Sequence, residues 1–264
     1  VGGEEIAAAR VIANVGPKLL YERMMDAGDL PADFESRIKG FKAGSGTFRM
    51  NVALSQLPSF TALPGDGDHL TAGIILAPSL GYMDRAWSDA KQHGWSREPV
   101  VEMLIPSTLD TSLAPPGQHV ASLFCQHVAP ELPDGSSWDA HRERVADLMI
   151  DTVDRWAPNF KRSVLGRQIM SPLDLERTFG LVGGDIFHGA LGLDQLFAAR
   201  PMLGHADGGS LDGAGLHTGV GPVAQTGLQQ HRVGRGHAGV VQIARLTHAQ
   251  GAHQRTALTQ GMQG

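Results

Sequence analysis

The residues best suited to chemistry form a glycine-rich loop at positions 183–189, which reads GGDIFHG. Asp185 and His188 are its polar members, and the residues around the loop are mostly apolar. Paired glycines beside polar side chains allow a backbone to approach a ligand or another backbone closely. Two interpretations stay open from these residues alone. The loop either faces a ligand, or it is a turn between two helices in which His188 is bonded to a carbonyl group.

A second motif, at residues 234–239, reads GRGHAG and matches the pattern G-x-G-x-x-G. That pattern cradles a dinucleotide phosphate only when a buried strand precedes it and an acid about 20 residues later binds the ribose. The preceding residues QQHR make a poor strand, and no Asp or Glu follows Asp212. A chance match in a glycine-rich segment is therefore favoured over a functional one.

The histidines and the cysteine do not form a recognisable metal site. His119 and His127 share one face of a predicted strand by parity, and five further histidines are scattered near the end of the chain without ligand spacing: His217, His231, His237, His248 and His253. Cys125 is the single cysteine and lies within that same strand, where a thiol usually serves packing. We predict no metal site, and a metal-dependent hydrolase is the weakest functional hypothesis.

Composition limits the class of protein. The 264 residues carry a net charge of -5, so nucleic acid is not expected as a partner, since phosphate binding needs clustered Lys and Arg. No apolar run approaches the roughly 20 residues that span a bilayer, and no signal peptide is visible before residue 10. A single cysteine excludes an internal disulfide. These features predict a soluble cytoplasmic protein without a transmembrane segment.

The composition changes after residue 205. From Ala206 onward there is no Lys, no Glu and no aromatic residue, while 13 of the 34 glycines lie there. Such a segment cannot bury enough apolar area to offset the entropy of ordering it. We therefore expect a globular body over residues 1–205 and an irregular Gly/His/Gln-rich tail over residues 206–264. Either a frameshift in the coding sequence or intrinsic disorder would explain the composition of this tail.

Hydrophobic patterning in the body predicts alternating strands and helices. The predicted strands are Ile6–Val15, Thr47–Leu54, Leu70–Leu76, Val100–Ile105 and His119–His127. The predicted helices are Lys18–Ala27, Pro31–Ile38, Tyr82–His93 and Trp138–Trp156. Ser136 and Asp139 resemble a capping box for the last helix. Some strands follow one another directly, so we predict an α+β fold with a mixed, largely antiparallel sheet rather than a strict βαβ alternation.

The string SPLDLERTFGLVGGDIFHGALGLDQLFAARPMLG, at residues 171–204, closely resembles the C-terminal region of phytoene dehydrogenase-like FAD-dependent oxidoreductases. Within that family the resemblance is strongest to the pyridine nucleotide-disulphide oxidoreductase domain-containing protein 2 group. It extends back through APNFKRSVLGRQIM and FKAGSGTFRMNVALSQLPSF to about residue 2.

The resemblance implies an FAD cofactor and a hydrophobic small-molecule substrate. It implies that residues 1–205 are the substrate-binding domain with one remaining strand of the FAD domain, and that the family's N-terminal Rossmann unit is missing. His188 becomes the candidate catalytic residue. The candidate cofactor-binding residues are Gly183, Gly184, Asp185, Gly213, Gly215 and His217, and the last three belong to a degraded form of the family's C-terminal glycine motif.

Two functional hypotheses follow from the resemblance. In the first, the parent protein is a flavoenzyme that transfers hydride from its substrate to FAD. In the second, this chain is a non-catalytic binding or interaction domain without a bound cofactor, and it self-associates through an exposed apolar face.

Overall fold

The chain divides into two compact units. The computed structural model describes residues 11–26, 28–44, 46–205, 216–218 and 241–242. Ser45–Leu175 forms one unit, here the sheet unit. Val1–Gly44 and Glu176–Gly264 form the other, here the terminal unit.

The sheet unit is built on a five-stranded antiparallel sheet. Its strands are β2 (Phe48–Leu54), β3 (Ile74–Leu76), β4 (Trp95–Leu104), β5 (His119–Val128) and β6 (Val164–Met170). Their order across the sheet is β3-β4-β5-β2-β6. In the central pair, Phe48 lies opposite Cys125 and Leu54 lies opposite His119. Strand β2 alternates apolar and polar residues, so one face carries Phe48, Met50 and Val52, all at most 1% exposed.

The long helix α4 (Trp138–Trp156) covers that apolar face. Val145, Met149 and Val153 recur at helical spacing, and each is fully buried in the same cluster as the strand residues. The Ser137 side chain caps the helix by accepting a hydrogen bond from the backbone N–H of Asp139.

The opposite face of the sheet is covered only in part by helix α3 (Leu80–His93). Tyr82, Ala86 and Val100 form a small separate cluster there, and the Tyr82 hydroxyl donates to the Pro99 carbonyl at 2.8 Å. The helix begins at the Ser79 cap and ends at Gly94, whose φ of 89° suits glycine.

The remaining helical segments of the described residues are short. The α-helices are α5 (Phe160–Ser163) and α6 (Pro172–Phe179), and the boundary between the two units lies within α6. The 3₁₀ turns are Asp68–Leu70, Pro106–Thr108, Thr111–Leu113, Val182–Gly184, Leu193–Gln195 and Phe197–Ala199.

The terminal unit has its own small core. Strand β1 (Val11–Ala13) pairs in parallel with β7 (Leu216–Thr218) and with β8 (Val241–Gln242), in the order β7-β1-β8. Helix α1 (Pro17–Leu19) continues as a π-helix over Leu20–Met24, and α2 is Ala32–Lys39. These elements bury a common cluster with the loops that follow: Ala13, Leu20, Tyr21, Leu30, Phe34, Ile38, Phe41 and Met202.

The α+β fold class predicted from the sequence is confirmed. Several element boundaries were wrong. The predicted strand Leu70–Leu76 is a strand only at Ile74–Leu76, because Asp68–Leu70 closes a 3₁₀ turn. The strand predicted at Val100–Ile105 begins earlier, at Trp95.

Three further expectations need correction. The helix predicted at Lys18–Ala27 spans 17–24, and Ile6–Val15 is a strand only over Val11–Ala13 among its described residues. Ser137, rather than Ser136, is the N-cap of α4, because Ser136 binds Asp134 and His141 instead. The domain boundary at residue 205 stays a prediction.

Candidate functional site

The glycine-rich loop lies in the terminal unit, directly after α6. A 3₁₀ turn at Val182–Gly184 opens it, and the backbone takes positive φ at Gly183 (64°) and Gly184 (63°). His188 also has a positive φ of 58°. Few side-chain-bearing residues adopt this left-handed conformation, so the surroundings of His188 must hold it there.

The Asp185 carboxylate organises the loop from within. Asp185 is 1% exposed, and its Oδ1 accepts from the backbone N–H of Phe187 at 2.8 Å. Its Oδ2 accepts from the N–H groups of Gly44 at 2.9 Å and Gly189 at 3.1 Å. Both oxygens are therefore satisfied by backbone donors, which is the arrangement a buried carboxylate requires.

Arg200 binds the same segment through its carbonyl groups. Arg200 is 3% exposed, and its guanidinium donates to the carbonyl oxygens of Phe187 at 2.6 Å and Gly189 at 3.4 Å. It also stacks over the Phe41 ring, 5.8 Å from the ring centroid. The Asp185 and Arg200 side chains thus bind the N–H and C=O groups of Phe187 and Gly189 between them, and we call this pair the loop clamp.

Arg200 is held in an environment that does not favour its charge. Burial lowers the pKa of the guanidinium, and the Asp185 carboxylate opposes that effect. Its Nε is buried and has no hydrogen-bond partner among the described residues. A buried donor without an acceptor costs free energy. In the loop clamp, Arg200 Nε has therefore lost its contact with water and gains no hydrogen bond from the described part of the chain.

Gln195 fastens the loop to residues 41–44. Its side-chain carbonyl accepts from the Lys42 N–H at 2.6 Å, and its amide nitrogen donates to the Lys42 carbonyl at 2.9 Å. The amide nitrogen also donates to the Ala190 carbonyl at 3.2 Å, while the Ala190 N–H donates to the Lys42 carbonyl at 2.9 Å. The buried Gln195 amide therefore makes the hydrogen bonds to Lys42 that a neighbouring strand would make in a sheet.

Two glycines are required by how closely the backbones approach. A Cβ on Gly189 would lie 2.4 Å from Phe41 Cζ, and one on Gly183 would lie 3.0 Å from Gly44 Cα. Close approach of one backbone to another therefore accounts for Gly183, and whether the loop faces a ligand stays a prediction.

His188 is half-buried and lies beside the turn between β1 and α1. A Cβ built on Gly16 would be 3.4 Å from both Cβ and Nδ1 of His188, so the ring rests against the Gly16 backbone. Burial lowers the pKa of His188, Asp185 raises it and Arg200 lowers it further. The imidazole is therefore neutral at pH 7 and could donate or accept one hydrogen bond.

The other predicted residues lie in different surroundings. Gly213, Gly215 and the GRGHAG motif are outside the described residues, and His217 lies in β7, where only the backbone is described. Cys125 is fully buried in β5, and desolvation raises the pKa of its thiol, so the reactive thiolate is scarce. In the described ranges, no three His, Cys, Asp or Glu side chains are grouped as metal ligands would be.

The two strand histidines contact different partners. His119 Nδ1 lies 3.4 Å from the Ser107 hydroxyl, and the His127 ring packs edge-on against Trp87.

Among the helices that the structure describes, none combines the length and apolar character needed to span a bilayer.

Comparison with known proteins decides the relationship. Over 239 residues, or 86% of the chain, it is 41% identical to pyridine nucleotide-disulfide oxidoreductase domain-containing protein 2 of Rattus norvegicus. The Mus musculus protein of the same name is 39% identical over 238 residues. The chain is therefore similar to these two proteins over most of its own length. The resemblance noted in the sequence is confirmed, and no protein-family model matches the chain.

The chain spans about two fifths of these homologues, since 41% of each is covered. A weaker similarity, 29% identity over 140 residues, links half of the chain to the 4,4'-diapophytoene desaturase (4,4'-diaponeurosporene-forming) of Staphylococcus aureus (strain MRSA252). That match covers 28% of the desaturase.

Arg200 and Gln195 are the important residues that sequence reasoning missed. Both lie in the string that carries the family resemblance, yet neither stood out by type or spacing. One signal was present: an Arg and an Asp 15 positions apart flank a glycine-rich loop in a segment that is otherwise largely apolar. Buried charges in such segments are normally paired or bound to backbone groups.

Proposed function

We propose that the parent protein is an FAD-dependent oxidoreductase that removes hydride from a hydrophobic substrate, and that residues 1–205 supply its substrate-binding domain. The observation that carries this proposal is the 41% identity to proteins named as oxidoreductases, which extends over 86% of the chain. We keep a cytoplasmic location as part of the proposal.

The loop clamp fits a role beside a flavin. When bound, FAD would supply the capacity to accept hydride. The Asp185 carboxylate is fully occupied by backbone N–H groups, so it would hold the shape of the loop and would not contact the cofactor itself. Arg200 Nε is an orphaned donor and the neutral His188 ring is half-buried, so both could meet a carbonyl or ring nitrogen. In this proposal the backbone at Gly183 and Gly184 forms the cofactor-facing surface.

Half-buried polar and aromatic side chains on the sheet support a substrate-facing role for the sheet unit. On the face opposite α4, Arg49 lies over the Phe124 ring at 5.2 Å and donates to the Ser122 hydroxyl at 3.1 Å. Asn51 donates to the Gln168 side chain at 3.2 Å. These interactions fix a surface of aromatic and polar groups, which suits orientation of a bound molecule.

Flavin retention tests the proposal directly. The purified chain would be incubated with FAD, desalted and measured for visible absorption. Retained flavin absorbance supports a cofactor site within this chain. A colourless protein would favour the second hypothesis for this polypeptide.

The role of His188 is tested in a full-length homologue. Replacing His188 by Ala should lower turnover at least about tenfold if the imidazole takes part in proton transfer. The Asp194→Ala variant is a suitable control, because Asp194 is exposed and pairs only with Lys42 among the described residues. Turnover equal to that of the control would assign His188 a packing role.

The alternative is a non-catalytic interaction domain, and a specific observation favours it. Large apolar side chains are exposed in the terminal unit, with Leu193 at 92%, Phe197 at 76% and Leu203 at 69%. Exposed apolar groups of this size favour association with another surface. In this alternative, the chain binds a partner or a second copy of itself without a cofactor.

A further inference from the structure

The sheet unit contains an apolar cavity of about 380 Å³ that is separate from the loop clamp. It lies along the free edge of β3, the outermost strand, which pairs with β4 on its other side. The cavity is lined by residues of three segments: Phe60–Leu63, Ala72–Pro78 with His69, and Trp156 at the end of α4.

The wall of this cavity is held in place by hydrogen bonds. The Thr61 N–H donates to the Trp156 carbonyl at 2.9 Å, and the Thr61 hydroxyl donates to the same oxygen at 3.2 Å. Leu63 closes a bridge back to Phe60. These hydrogen bonds fix the loop to the end of α4, so this wall of the cavity is part of the folded structure.

The lining determines the ligand class. His69 is the only titratable side chain among the lining residues, and the others are apolar apart from Thr61 and the Trp156 indole. A charged ligand would lose its hydration, and His69 is the one lining residue that could serve as a counter-ion, so an uncharged ligand is favoured. An apolar molecule would instead cover Leu63 and Ile75, which are 57% and 63% exposed.

His69 supplies one polar anchor. Its ring packs edge-on against Phe60, with centroids 6.4 Å apart, and its Nε2 is buried without a hydrogen-bond partner among the described residues. A hydroxyl or carbonyl group on a ligand could supply the hydrogen bond that this atom lacks among the described residues.

We propose that this cavity binds an uncharged, mainly apolar molecule with one hydrogen-bonding group, of the chemical class of a long-chain alcohol. The site goes beyond the proposed oxidoreductase function, because binding here requires no flavin. A volume near 400 Å³ lies within the range of small-molecule sites.

The test uses the full chain without FAD. The uncharged fluorescent probe N-phenyl-1-naphthylamine is titrated into the protein, and dodecanol and dodecanoate are then compared as competitors. We expect saturable binding that dodecanol displaces at a concentration at least about tenfold lower than dodecanoate does. Equal competition by the carboxylate would overturn the proposed ligand class, and binding that does not saturate would overturn the site.

Substitutions locate the bound probe. Ala72→Phe places a ring in the cavity, and Leu63→Asp places a charge at its exposed rim, so each should weaken probe binding about tenfold. Ala140→Phe, on the exposed side of α4, is the matched control and should bind as the unaltered chain does. Because Ala72 and Leu63 are exposed, both variants should retain the circular dichroism spectrum of the parent. Unchanged affinity in both would overturn the assignment.

Discussion

Asp185 and Arg200 show how two residues determine the shape of a loop that contains four positive φ values. The Asp185 carboxylate accepts from the N–H groups of Phe187 and Gly189, and the Arg200 guanidinium donates to the carbonyls of the same two residues. The interactions run through backbone groups, so a residue that tolerates positive φ, such as Asn, would be presented in the same place at position 188. The identity of His188 is thus separable from the conformation that positions it.

The Asp185 carboxylate should make a measurable contribution to the stability of the folded chain. Asp185→Ala leaves three backbone N–H groups without an acceptor, so we expect a loss of about 2–4 kcal/mol in the free energy of unfolding. Urea denaturation followed by circular dichroism measures it. Asp194→Ala is the control, because its ion pair with Lys42 is exposed and should contribute little. Equal effects of the two substitutions would show that Asp185 does not hold the loop.

The free energy of unfolding should depend on pH through His188. Burial lowers the pKa of His188 in the folded state below its unfolded value, so the unfolded chain binds this proton first as the pH falls. The contribution of His188 to stability is therefore present above the unfolded pKa, near 6.5, and declines below it. His188→Asn keeps a residue that tolerates positive φ but does not titrate. It should flatten the fall in unfolding free energy between pH 7 and pH 5, and an unchanged slope would contradict the assignment.

Two glycines beside helices, Gly94 at the end of α3 and Gly135 in the turn before α4, form a matched pair. Gly94 and Gly135 both have positive φ, but a Cβ on Gly94 would lie 2.7 Å from Leu132 Cδ2, while one on Gly135 meets nothing within 4 Å. Gly135→Ala should cost about 1–2 kcal/mol from backbone strain alone. Gly94→Ala should cost about 1–3 kcal/mol more, since the side chains of Leu132 and Pro133 must move. Thermal or urea unfolding of both variants measures the loss in unfolding free energy. Equal losses would show that packing against Leu132 and Pro133 adds nothing at Gly94.

Elements with a regular apolar period could be predicted, and elements with an irregular one could not. Helix α4 was placed correctly at Trp138–Trp156 because a single apolar stripe repeats along 19 residues. Strand β6 was missed, since Val164–Met170 is an edge strand whose exposed and half-buried residues do not alternate. Strand β4 begins before its predicted start because Pro99 interrupts the apolar pattern at a register shift.

The same distinction applies to the candidate site. The loop was found because its glycines and polar residues are adjacent in sequence, whereas its partners at residues 42–44 are not. Gly44 reaches Asp185 across 141 positions, and Lys42 reaches Gln195 across 153. These two pairings depend on the tertiary fold, so no local pattern could have indicated them, whereas the N–H groups of Phe187 and Gly189 lie within four residues of Asp185.

At the scale of the whole molecule, the exposed apolar side chains of the terminal unit predict self-association of this polypeptide. Leu193 is 92% exposed, and Phe197 is 76% exposed in the adjacent 3₁₀ turn. Leu193→Glu places a charge on this surface and should shift the sedimentation coefficient toward that of a monomer at equal protein concentration. Leu80→Glu is the matched control, because Leu80 is 85% exposed but lies in the sheet unit. If the unaltered chain sediments as a monomer at all concentrations, or if the two substitutions act alike, then these side chains do not form a self-association surface, and a different partner would have to cover them.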